Sequence, residues 1–161
     1  MQMTLGFILT PLLIWASPNE DLLAKAQLIV PKTTDYRLLS GPEDFCPDER
    51  NVLWRENPDG PYLQLTPSIG ISGFEKSGWV TRPDGASQPE CKFETKIEVS
   101  KTAIRYDERE NCAKEKWQRD LSIQIERKGE LGLGITHTRS QTKNGKKEPA
   151  TVLKCELLFK R

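Results

Sequence analysis

Residues 92–99 read Lys92-Phe93-Glu94-Thr95-Lys96-Ile97-Glu98-Val99, eight residues in strict alternation. Phe93, Thr95, Ile97 and Val99 point one way, and Lys92, Glu94, Lys96 and Glu98 point the other. A period of two predicts a half-buried β-strand with one wet face. The same period continues along the chain. Over 102–107, Ile104 and Tyr106 share the inward phase. Trp117, Leu121, Ile123 and Ile125 share a face opposite Gln118, Asp120, Ser122, Gln124 and Glu126. Leu131, Leu133 and Ile135 alternate with Gly132, Gly134 and Thr136. Leu153, Cys155, Leu157 and Phe159 alternate with Lys154 and Glu156. Weaker strands are expected at 35–39, 51–56, 62–66 and 69–75.

The connections carry turn chemistry. Ser100-Lys101 and Lys128-Gly129 suit tight hairpins, Asn144-Gly145 suits the tip of a longer one, and Asn57-Pro58-Asp59-Gly60-Pro61 is a strong turn. Residues 76–90, with Pro83 and Pro89 among several glycines and serines, are expected to form the longest loop. No helical pattern of ten residues separates the strands, which argues against parallel βαβ units. The expected fold is therefore all-β, an antiparallel meander of about eight strands. It must hide its apolar face on itself, as a small barrel or, alternatively, a β-sandwich. Gly132 and Gly134 suit strong curvature and tip the expectation toward the barrel.

The four cysteines, Cys46, Cys91, Cys112 and Cys155, form no Cys-x-x-Cys pair, and His137 is the one histidine. Zinc is not expected. An even count allows two disulfides in three connectivities. Strand phase selects among them. If 91–99 and 102–112 fold about Ser100–Thr102, Val99 faces Ile104, Ile97 faces Tyr106 and Cys91 faces Cys112. A two-residue turn at Ser100-Lys101 would need a bulge near Asn111 to restore that match. Cys91–Cys112 is predicted, leaving Cys46–Cys155 to tie the early chain to the last strand.

The first sixteen residues, MQMTLGFILTPLLIWA, are uncharged from Leu5 to Ala16 and end in a small residue. They are expected to be a secretory signal peptide, cleaved near Ala16. Twelve helical residues span roughly 18 Å, short of a hydrocarbon core of about 30 Å. No stable membrane insertion is expected after cleavage, and the chain would be secreted or periplasmic. Residues 17–34 form a leader in which 19–29 suit a short helix. Asn19 is its candidate N-cap, Leu22, Leu23, Ala26 and Ile29 lie on one side, and Pro31 stops it. A single β domain, 35–161, follows.

The 161 residues carry 24 Lys+Arg against 23 Asp+Glu, and 36% are apolar. A near-zero net charge argues against a nucleic-acid binder. No nucleophile–base pair, phosphate loop or dinucleotide fingerprint has the context it needs. Enzymatic chemistry and cofactors are not expected. Three polar residues nevertheless fall in the inward phase. Arg119 lies between Trp117 and Leu121, His137 continues the face of Leu131, Leu133 and Ile135, and Tyr106 shares a face with Ile104. A buried Arg needs a partner. These side chains either sit at strand ends with their heads in water, or line a barrel mouth beside Trp117 and hold the anionic head of an apolar ligand. Trp54 shares phase with Val52 and suits the core. Trp79, after Ser77-Gly78, suits exposure in loop 76–90, where an aromatic anchor could meet a protein partner.

A secreted meander of this size resembles the calycins, the lipocalin-like barrels. The resemblance covers 35–161 as pattern. Thr34-Asp35-Tyr36 is similar to the lipocalin Thr-Asp-Tyr but stands at the other end of the chain. The Gly-x-Trp of the first lipocalin strand is absent from Asp35–Gly41, so no functional residue carries over. Plant Kunitz-type inhibitors also combine this size with two disulfides, but their second bridge closes a short loop. What the resemblance implies is a binding protein for a small, largely apolar ligand. The alternative expectation is a disulfide-stapled protein-interaction or inhibitor module acting through loop 76–90.

Overall fold

The computed structural model describes residues 18–32, 36–42, 45–46, 53–58, 60–66, 69–74 and 76–159. The expected signal peptide lies outside them. The first described element is helix α1, Pro18–Ile29. It starts one residue before the expected span, and the side chain of the candidate cap Asn19 lies outside the described residues. The amide of Val30 donates to Ala26, and Pro31 follows. Ala26, Ile29 and Val30 are buried, with Leu23 packed beside them, so three of the four residues that the sequence placed on one side of the helix meet the core.

Eleven strands follow among the described residues. They are β1 (Tyr36–Ser40), β2 (Leu53–Asn57), β3 (Gly60–Thr66), β4 (Ile69–Ile71), β5 (Gly78–Thr81), β6 (Lys92–Val99), β7 (Ala103–Cys112), β8 (Trp117–Lys128), β9 (Gly132–Lys143), β10 (Lys146–Lys147) and β11 (Thr151–Phe159). The large sheet is antiparallel with the order β1-β11-β9-β8-β7-β6-β5, and β10 pairs with β9. It is the expected meander, with the early strand β1 laid against the last. A second sheet, β2-β3-β4, contains the hairpin whose turn joins Asn57 to Gly60.

The expected barrel does not form. Among the described residues, the edges β1 and β5 do not pair with each other, and the large sheet stays open. Its apolar face is covered instead by α1 and the small sheet. One core joins Ala26, Ile29 and Val30 to Leu63, Leu65, Ile71 and Phe74, and to Ile97, Ile104, Ile123, Ile125, Leu133 and Leu157 of the large sheet. Trp54, expected in the core, tilts against Phe74 at 5.1 Å and donates its indole N–H to the Val30 carbonyl at 2.7 Å. Arg127 fixes the helix end to the sheet. Its guanidinium donates to the Ile29 carbonyl at 3.1 Å and lies over the Phe159 ring at 4.3 Å. With a second layer available, the sheet need not curl to hide its apolar face. Gly132 has a steric role at the β8–β9 turn. A Cβ at Gly132 would lie 2.4 Å from the Lys128 carbonyl oxygen, so glycine permits the close return of the chain after β8.

Both predicted disulfides are present, Cys91–Cys112 and Cys46–Cys155. Val99 faces Ile104 and Ile97 faces Tyr106, as the phase required. The turn is Lys101–Thr102, one residue later than Ser100-Lys101, because the Ser100 amide already donates to Ala103. The Ser100 hydroxyl accepts from the Ala103 amide at 3.0 Å and steadies the turn. That one-residue difference removes the need for a bulge near Asn111, which pairs regularly with Lys92. Residues 76–90 are not one loop. They contain β5 and a 3-10 turn, Pro83–Gly85.

Candidate functional site

The alternation that builds the core also builds the opposite face. Strand pairing places Trp79 beside Lys96, Lys96 beside Asp107, Asp107 beside Ser122, and Ser122 beside Thr138. A second row runs Thr81, Glu94, Arg109, Asp120, Ser140. Trp79, Asp107, Ser122 and Thr138 of the first row and Arg109, Asp120 and Ser140 of the second line a polar cleft of about 350 Å³, which Arg105 and Gln118 also border, with Trp79 at its β5 end. Trp79 is 43% exposed, high for so large an apolar side chain. It stands on strand β5, not in the expected loop, and the Arg109 guanidinium lies 4.7 Å from its ring centre. Arg109 is also held by Asp120 at 3.2 Å, and Gln118 donates to the other Asp120 oxygen at 2.8 Å. Arg105 pairs with Asp107 at 3.0 Å. Both arginines of the cleft are thus paired with aspartates within it, Glu108 beside them accepts from Tyr106, and these planar groups are held in place before any ligand arrives.

The inward polar residues lie on the other face. Arg119 has its partner. Its guanidinium lies 2.9 Å from a carboxylate oxygen of Glu110, whose side chain is fully buried. The Arg119 guanidinium also sits 5.8 Å from the centre of the Trp117 ring, and Trp117 pairs with Cys112. Glu110 in turn accepts the backbone N–H of Ser87, which pins the segment after β5 to the sheet. Tyr106 donates its hydroxyl to Glu108 at 2.8 Å. Burial raises its pKa above the usual phenol value. The Glu108 charge and hydrogen bond add to the rise, and Arg82 opposes it. His137 is 8% exposed and stacks on Phe45 at 4.8 Å. Burial, then the nearby Arg139 charge, lowers its pKa from the ordinary histidine value.

Arg119 and Trp117 therefore meet, around Glu110. Tyr106 and His137 flank Ile123 in the next part of the sheet, each opposite it in register. Phe93, Tyr106 and Phe159 are buried. Glu110 was missed in the sequence, although it shares the phase of Ile104, Tyr106 and Cys112. Alternation puts Gln118 and Asp120 on the outward face without marking them as a site, and nothing local singles out Asp107 or Arg109. Their meeting with Trp79 depends on the β5–β6 pairing, which a loop reading of 76–90 conceals. Compared with protein-family models, with curated proteins and with solved structures, the chain matches none.

Proposed function

We propose that this chain is a secreted or periplasmic, disulfide-stapled binding module that meets its partner on the wet face of its main sheet, around Trp79. The carrying observation is the exposed Trp79 at the end of a polar cleft whose two arginines are already paired with aspartates. A large aromatic held rigid at a surface is a common anchor, because little conformational entropy remains to be lost on binding. We read the two sheets as the layers of an open sandwich, stapled at each end of the large sheet. Two disulfides and an uncharged N-terminal run fit an oxidising compartment.

The lipocalin-like reading, a carrier of a small apolar ligand, needs an enclosed apolar space. The open sheet and the buried Phe93, Tyr106 and Phe159 weigh against it. The test compares the oxidised wild-type chain with Trp79→Ala on extracellular material from the source cells. Retention of the wild type and its loss in the variant, at an unchanged melting temperature, are expected. Equal retention of both would overturn the reading, as would a lipid recovered from the wild type by native mass spectrometry.

A further inference from the structure

We infer that the Trp79 cleft takes an uncharged saccharide chain, an inference that rests on the Trp79 face being the binding surface. Charge is the first argument. The two arginines, Arg105 and Arg109, are each bound to an aspartate, Asp107 and Asp120. An anionic polymer would have to break those pairs, and so would a cationic one. A neutral ligand leaves them intact.

The second argument is the mixture of groups. A pyranose ring presents an apolar C–H face and a girdle of hydroxyls. Trp79 offers an apolar ring for the first. For the second, Asp120 and Asp107 supply acceptors, Gln118 an amide, and Ser122, Thr138 and Ser140 hydroxyls that both donate and accept. An apolar ligand would leave these groups unsatisfied.

The third argument is shape. The lining runs from Trp79 on β5, past Asp107 on β7 and Ser122 on β8, to Thr138 on β9. Four strand spacings of about 4.8 Å give a floor roughly 19 Å long, enough for several sugar units in line. The floor is open at the surface, so affinity must come from repeated shallow contacts along a chain rather than from enclosure.

The experiment treats the retained extracellular material in two ways before adding the oxidised chain. Mild periodate, which cleaves vicinal diols, is expected to abolish retention, and exhaustive proteolysis of the material is expected to leave it. In native gels, a soluble neutral polysaccharide panel (a mixed-linkage glucan, a xylan and a galactomannan) is expected to retard the wild type at both low and high salt. Trp79→Ala should weaken that retardation about tenfold, and Trp79→Tyr, which keeps a ring, should restore most of it. Ser122→Ala, which leaves the aromatic in place, should also weaken the retardation, by about threefold. Retention lost to protease and kept after periodate would overturn the saccharide inference while leaving the Trp79 face as the binding surface for a protein. Retardation only in alginate or heparin, abolished by salt, would also overturn it. Failure of the Trp79→Ala comparison on untreated material would remove both.

Discussion

Removing Arg119 should strand a carboxylate inside the protein. The Glu110 side chain is fully buried, whereas that of Arg119 is 31% exposed, and their charged atoms are 2.9 Å apart. At an effective dielectric near 20 the attraction is on the order of 5 kcal/mol, most of it offset by the cost of taking the carboxylate out of water. Breaking a wholly buried pair from one side costs about 3–5 kcal/mol. Arg119 keeps a wet edge, so Arg119→Ala should cost about 2–3 kcal/mol, at or just below the lower end of that range. For a domain of this size that is a fall of roughly 4–12 °C in Tm. Glu110→Gln removes the charge but keeps an acceptor for the Ser87 amide, and should cost only about 1 kcal/mol. The double variant should be little worse than Glu110→Gln alone, a coupling of about 2 kcal/mol. Urea unfolding of the four proteins, with both disulfides intact, measures the cycle. A coupling below about 0.5 kcal/mol would mean that the pair behaves as a surface ion pair, and the reasoning would fail.

Further outcomes follow from other parts of the molecule. In the chain-entropy model, losing Cys46–Cys155, which spans 109 residues, should cost about 1.5 kcal/mol more than losing Cys91–Cys112, which spans 21. Paired Cys→Ala variants and chemical denaturation check the difference, and equal losses would refute it. Gly85→Ala would place a Cβ 2.2 Å from the Phe93 ring, so it should destabilise by about 1–3 kcal/mol and loosen the turn before Ser87, read by hydrogen exchange. His137 has a lowered folded-state pKa, so the unfolded chain takes up its proton first as pH falls below about 6.5. Stability should therefore drop between pH 7 and 5, and His137→Gln should flatten that part of the profile. A ring titrating at or above the ordinary value by NMR would contradict the burial.

The large sheet was legible in six of its strands because each sits between a packed layer and water, and alternation records that directly. Its register was legible because Cys91, Ile97, Ile104, Tyr106 and Cys112 carry one phase across the hairpin. Closure was not legible. Whether β1 meets β5 depends on whether another layer reaches the apolar face first, and alternation within a strand says nothing of that. The partner of Arg119 was within reach, since Glu110 lies in the inward phase, but a glutamate two residues from a cysteine reads as surface until its register is fixed. Trp79 was misplaced for a different reason. Ser77-Gly78, Pro83 and Pro89 are breakers, and they mask a four-residue strand. Once that strand pairs with β6, its outward side chain joins residues from four others, an assembly no local window contains.

If the chain is exported as proposed, bridging Cys46 to Cys155 beside β11 sets a problem for biosynthesis. A chain that crosses a membrane from its N-terminus delivers Cys46 to the oxidising side first and Cys91 second, and these two are not partners. An oxidase working in order of arrival would join them wrongly. The native outcome needs the β6–β7 hairpin to close before the wrong bridge forms, and a hairpin closes in microseconds where a disulfide takes seconds or longer, so Cys112 can claim Cys91 once it has emerged. Cys46 then has to wait for Cys155 and the strand that carries it. Until then the flank of β9 that receives β11 stays bare, a surface on which other nascent chains can add. Production of this protein should therefore depend on a disulfide isomerase more than its two bridges would suggest.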